Sequence, residues 1–156
     1  MAAHGAYLSS GGSDAVTTPG AFAPELSRRA RGFALWAALR QLGQQGLANL
    51  VTRVCMRAGE LASALRRAPG VTVLNDVVLN QIVVGFEPPR GAAARDFVRE
   101  LVVAIQNEGT CYATPTIWRG TPGIRFSVIN ADTTSEDIAR SAHAVIAVYD
   151  ERRVSR

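Results

Sequence analysis

Leu79-Asn80-Gln81-Ile82-Val83-Val84-Gly85-Phe86-Glu87-Pro88-Pro89 is the stretch whose reading decides the fold. Its β-branched run predicts a strand over Leu79–Phe86, and two prolines, which have no backbone N–H to give a ladder, stop it. Val71–Asn75 predicts a second strand just upstream, separated from the first by Asp76. Downstream, Phe97, Val98, Leu101, Val102 and Ile105 recur at helical spacing, so a helix is predicted from about Ala92 to Glu108, with Gly109 just past its end. Two further strands are predicted at Thr110–Thr116 and Gly123–Ile129, joined by a turn holding Arg119-Gly120 and Pro122-Gly123. A last helix opens at Thr133 or Thr134, where Glu136 and Asp137 suit a capping box. Its buried side is Ile138, Ala142, Val145 and Tyr149, and the polar tail Glu151–Arg156 is expected to fray.

Upstream, Leu47, Leu50, Val51, Val54, Cys55, Leu61 and Leu65 follow the i, i+3, i+4, i+7 pattern and predict a helix from Gln44 to Arg67, ended by Pro69-Gly70. Leu35, Leu39 and Leu42 predict a shorter helix over Phe33–Leu42, with Gly43 and Gly46 interrupting the two. Ser9–Pro24 is rich in Gly, Ser, Thr and Pro and reads as a mobile loop. The order α-α-β-β-α-β-β-α implies an α+β fold. A loop or arm (1–32) and two helices (33–68) precede a small domain (69–156), whose mainly antiparallel sheet is covered by helices on one face. The apolar stripes of the first two helices must fold back on that layer or dock on another chain.

The 156 residues carry a net charge of +4, with 47% apolar and 19% charged side chains, which marks an ordinary globular chain. Its 17 basic residues are all arginine; there is no lysine, so no side-chain amine can form a Schiff base. The arginines are spread along the chain with no nucleic-acid-binding motif beside them, so no nucleic-acid partner is expected. Cys55 and Cys111 are too few and too distant for a disulfide framework and read as buried thiols. No signal-peptide layout and no long apolar run occur, so a cytoplasmic protein without a membrane partner is expected.

Self-contained catalytic machinery is missing. His4 and His143 have no reason to meet, and His143 lies one residue off the buried stripe of its helix. Asp76 and Asp132 border strands, where turn-forming roles explain them, and no cluster of metal-ligand spacing occurs. What remains are arginines at element boundaries: Arg28, Arg29 and Arg31 before a helix, Arg119 in a tight turn, and Arg125 inside a strand. Period-2 alternation puts Arg125 on one face with Ser127 and Ile129, opposite Ile124, Phe126 and Val128. There it could fork onto a carboxylate, or stand exposed or paired within the protein.

Pro24-Glu25-Leu26-Ser27-Arg28-Arg29-Ala30-Arg31-Gly32, leading into Leu35-Trp36-Ala37-Ala38-Leu39-Arg40 and Leu42-Gly43, carries a specific resemblance. With Val73-Leu74-Asn75-Asp76, Leu79-Asn80-Gln81, Thr116 through Gly120 and Ile124-Arg125-Phe126-Ser127-Val128, the chain resembles the C-terminal third of group II pyridoxal-phosphate-dependent decarboxylases. These include the aromatic-L-amino-acid and glutamate decarboxylases, with an aspartate-aminotransferase-like fold. The resemblance implies that residues 33–68 end a large domain and that 69–156 form the C-terminal small domain. The family's lysine, pyridine-nitrogen aspartate, stacking histidine and phosphate contacts have no counterpart here, so no covalent cofactor binding is expected. The family's mobile loop would fall at residues 9–24, where no tyrosine occurs and Phe22 is the only aromatic residue.

The resemblance further implies that Arg125 reads a substrate carboxylate. It gives Arg28, Arg29 and Arg31 dimer or inter-domain ion pairs, and Trp36 and Trp118 packing roles. The function expected is therefore a fragment of a carboxy-lyase, closing an active site and recognising an amino-acid carboxylate, without activity alone. Its partner would be a second copy or a chain carrying the cofactor domain. The alternative is a non-catalytic dimerisation or regulatory module; a free-standing ferredoxin-like ligand domain ranks last.

Overall fold

A computed structural model describes residues 30–154; the predicted loop, His4, Phe22, Arg28 and Arg29 lie outside the described residues. The chain divides into two compact units between Gly43 and Gln44. A single helical assignment, α1 (Arg31–Leu65), runs through the boundary, but Gly43 has φ 62° and ψ −176°, which is not helical. The expected interruption is real, and it falls on the residue type for which a positive φ costs least.

The described part of the first unit is Ala30 and the N-terminal stretch of α1 up to Gly43. Phe33, Leu35, Trp36, Leu39 and Leu42 are all exposed there, Phe33 by 69% and Leu39 by 42%. Phe33 and Trp36 stack with centroids 5.8 Å apart, and the Arg40 guanidinium lies 5.9 Å from the Trp36 ring. Trp36 is thus 57% exposed, and Trp118 37%, against the expectation that both pack.

The second unit carries the sheet. Its strands are β1 (Val71–Val73), β2 (Gln81–Phe86), β3 (Thr114–Trp118) and β4 (Thr121–Ser127). They form one antiparallel sheet in the order β1-β2-β4-β3. Helices α2 (Ala94–Glu108) and α3 (Ser135–Val154) and the C-terminal turns of α1 cover one face. The α+β class, with helices on one sheet face, is what the alternation of elements predicted. Ile82, Val84, Phe86, Ile124 and Phe126 point from the sheet into a core shared with Leu61, Leu65, Leu101, Ile105 and Tyr149. Tyr149 is fully buried. Its ring meets Phe86 at 5.1 Å and its hydroxyl donates to the Glu87 carbonyl at 3.0 Å, so an aromatic core residue keeps its polar tip satisfied.

Several boundaries differ from the sequence reading, each for a local reason. β1 ends at Val73 because the Asn75 side chain takes over the ladder. The Val83 N–H donates to Asn75 Oδ1 at 2.7 Å, and Asn75 Nδ2 donates to the Asp76 and Gln81 carbonyls. β3 lies at Thr114–Trp118, later than expected, because the hairpin sets its register: Trp118 pairs Thr121 across Arg119-Gly120. Arg119 at φ 47° and Gly120 at φ 86° are the two positive-φ residues of a type I′ turn. Pro115 is accommodated because β3 is an edge strand.

At α3, Thr134 is the cap and Asp137, not Glu136, closes the box. The Asp137 N–H donates to Thr134 Oγ1 at 3.1 Å, and the Thr134 N–H donates back to Asp137 Oδ2 at 2.9 Å. The Thr134 N–H and the Thr134 hydroxyl both donate to Asp137 Oδ2 and hold the Asp137 carboxyl below its ordinary range, because they favour its ionised form. The tail expected to fray is helical through Val154; Arg153 donates to the Pro69 carbonyl at 3.3 Å.

Candidate functional site

Because strand side chains alternate, the face of the sheet away from the helices is set by the residues flanking the core positions. Arg125 stands on it, exposed, between Val83 of β2 and Thr114 of β3, its Cα partners on either side. Ile124, Phe126 and Val128 are buried on the opposite side, so the alternation read from the sequence holds. Toward the other end, Gly85 and Gly123 sit side by side under Leu74. A Cβ added at Gly123 would lie 3.0 Å from the Val84 carbonyl and 3.2 Å from Leu74. Glycine there lets Leu74 cover that end of the face while Arg125 stays open.

Among the described residues, no carboxylate lies within salt-bridge range of the Arg125 guanidinium. Arg57 shows the contrast. It pairs with Glu60 at 2.6 Å and also donates to Ser135 Oγ, and its Nε reaches the Thr133 carbonyl at 3.4 Å. Arg57 therefore pins the loop before α3 onto α1. The Arg57/Glu60 spacing is legible in sequence, but its tie to Ser135 is not. Arg31, expected in an interface, is exposed at the start of α1, and His143 is exposed on α3. Arg31 belongs to the first compact unit and Arg125 to the second.

A cleft of about 410 Å³ adjoins Arg125 at one end of the sheet, between the segment before β3, the end of β4 and the start of α3. The sequence reading missed Tyr112, which lines it and is 74% exposed, because it places residues 110–113 in a strand; Ile129, which alternation puts on the Arg125 face, also lines it and is 76% exposed. Cys111 forms part of its wall and is half-buried, as is Cys55, rather than fully buried as expected. Burial, then the neighbouring Glu108 carboxylate, pushes the Cys111 thiol up to about 11. At pH 8 that leaves about one thiol in a thousand as thiolate, so Cys111 should alkylate about a hundredfold more slowly than free cysteine. Iodoacetamide kinetics on a Cys55→Ser background measure this, and a rate close to that of free cysteine would contradict the burial described.

Among the described residues no cluster of metal-ligating side chains occurs, and no helix is long and apolar enough to cross a membrane. Nothing among them forms a nucleophile–base pair.

No protein-family model matches the sequence, and no curated protein does. Solved structures do match in fold. The tryptophan decarboxylase of Catharanthus roseus, in complex with L-tryptophan, superposes with a TM-score of 0.69 at 18% identity, over 80% of this chain and 27% of that one. An Oryza sativa TDC with PLP and tryptamine gives 0.72 at 19% identity, over 83% and 29%. The glutamate decarboxylase domain of a Vibrio parahaemolyticus diaminobutyrate-pyruvate transaminase and L-2,4-diaminobutyrate decarboxylase gives 0.63 at 15%, over 75% and 25%. This chain therefore shares the fold of part of these aromatic-amino-acid and glutamate decarboxylases, and spans between 25% and 29% of their length. With no lysine in the sequence, no side-chain amine of this chain can hold pyridoxal phosphate, the cofactor their group implies, covalently.

Proposed function

We propose that this chain is the small-domain portion of a pyridoxal-phosphate-dependent amino-acid decarboxylase, closing an active site whose cofactor is held on other sequence, in the cytoplasm. Its own residues would exclude water and read a carboxylate; without the cofactor half it would not catalyse. The observation that carries this reading is an exposed Arg125 with no carboxylate among the described residues in ion-pair range, on a fold shared with part of those decarboxylases. An arginine fork without such a partner among them is suited to an external carboxylate. Arg28, Arg29 and Arg31 would serve ion pairs with the chain that holds the cofactor or with a second copy.

The exposed Phe33, Leu35, Trp36, Leu39 and Leu42 support the same incompleteness. A helix apolar nearly all round is normally buried in a larger assembly. The same residues favour the second reading, a non-catalytic dimerisation or regulatory module. Reading the DNA upstream of the first codon separates the two. The decarboxylase reading expects a continuous or adjacent frame encoding a lysine-bearing cofactor domain; neighbouring frames without one would leave the docking module.

A further inference from the structure

β3 is an edge strand, and its register shows which of its backbone groups face outward. The type I′ turn makes Trp118 and Thr121 a hydrogen-bonded pair, and the pattern alternates from there. Thr116 with Gly123 and Thr114 with Arg125 bond across, while Pro115 and Ile117 turn their backbone away from β4. The prolines agree, since Pro115 and Pro122 both fall in pairs that ask no N–H of them. Just upstream, the Ala113 carbonyl is taken by Gln106 Nε2 at 2.8 Å. Among the described residues, β3 is left with the Pro115 carbonyl and the N–H and carbonyl of Ile117 open along its edge. A pocket of about 250 Å³ lies beside them, lined by Pro115, Ile117 and Pro122 from the sheet and by Arg95, Val98 and Arg99 from α2. Ile117 is 51% exposed. Arg95 and Arg99 are exposed too, and among the described residues neither has a carboxylate in salt-bridge range. Four helical residues span about 6 Å, close to the roughly 7 Å between alternate residues of a strand. All of these groups belong to the second compact unit.

We propose that the β3 edge docks an extended segment of another polypeptide carrying carboxylates at alternate positions. Running antiparallel, the segment sets one residue opposite Ile117, where both backbone bonds are exchanged. The next residue but one lies opposite Pro115, whose carbonyl accepts its N–H. Both side chains fall on the helix side of the sheet, beside Ile117 and Pro115, so their carboxylates meet Arg95 and Arg99. This chain does not supply such a segment: nowhere among its 13 acidic residues do two stand at alternate positions, so a second copy does not complement the edge. Three backbone bonds on a five-residue strand that carries a proline hold little by themselves. The two arginines therefore decide which strands are held, and nothing in this pairing rests on the decarboxylase reading.

The test is an NMR titration of the ¹⁵N-labelled full chain with acetyl-Thr-Glu-Thr-Glu-Thr-amide. The Ile117 amide should move downfield and exchange more slowly, with the Arg95 and Arg99 Nε–H signals shifting alongside. Glutamine in place of both glutamates of the peptide, or Arg95→Gln with Arg99→Gln in the protein, should weaken binding about fivefold or more through the loss of two ion pairs. Methylating the two glutamate nitrogens keeps every charge and removes both donors to β3, so that peptide should bind about tenfold more weakly or not at all. Both arginines are exposed, so the double variant should keep its circular dichroism, and the peptide arms test the site without altering the protein. Equal binding by the glutamine peptide, by the double variant or by the methylated peptide would overturn the proposal, as would an unresponsive Ile117 amide. So would Ile117 protection that rises with protein concentration before any peptide is added, since a second copy would then occupy the edge.

Discussion

Leu65→Ala should lower the unfolding free energy by about 2–5 kcal/mol, the range for emptying a fully buried leucine site. Leu65 is 0% exposed in the last turn of α1 and belongs to the core built by the sheet, α2 and α3. Neighbouring Ala58 and Ala62 are small and already fully buried, so little side chain is free to collapse into the space. The same change at Leu39, 42% exposed in the first unit, should stay within about 0.5 kcal/mol, because it removes little buried surface. Urea unfolding of the two variants compares them directly. If Leu39→Ala cost as much as Leu65→Ala, the first helical segment would be packed in the isolated chain and its exposed stripe would be illusory. If Leu65→Ala were neutral, the C-terminal turns of α1 would not belong to the core that holds the sheet.

The sheet was legible because the strongest signals coincide with it. The Ile82-Val83-Val84 run, stopped at Pro88-Pro89, places β2, and the alternation around Arg125 gives β4 its two faces. The Thr134/Asp137 box was legible too, since capping is a contact between near neighbours. What escaped depends on partners distant in sequence. The ends of β3 follow from a hairpin register, which local propensity at Thr110–Ala113 does not reveal. The loss of β1 after Val73 depends on one asparagine side chain meeting Val83.

The site divides in the same way. The face on which Arg125 stands follows from period-2 alternation, whereas the absence of a carboxylate beside it among the described residues is a fact of the tertiary structure. The cleft joins Leu61, Phe126 and Ile138, brought together only by folding, so no spacing announces it. The Arg57 tie to Ser135 escaped for that reason as well. Apolar spacing over Leu47, Val51 and Leu61 predicts one buried stripe, yet Leu47 and Val51 are 39% and 47% exposed while Leu61 is buried. Periodicity identifies a face that needs covering without saying what covers it.

The second large effect is the dependence of activity on a lysine this chain does not have. Decarboxylases of this fold supply the acceleration through a cofactor, and enzymes as a class gain a factor of about 10⁶ or more over the uncatalysed reaction. On the reading proposed above, the chain alone has no access to that gain, since its sequence contains no lysine to hold the cofactor covalently. Release of labelled CO₂ from carboxyl-labelled amino acids is therefore the most direct measurement. The chain mixed with pyridoxal phosphate should release no more than cofactor alone, and adding the lysine-bearing cofactor domain that the proposed reading expects should restore turnover. Turnover by the chain alone, or none from the two together, would contradict the account.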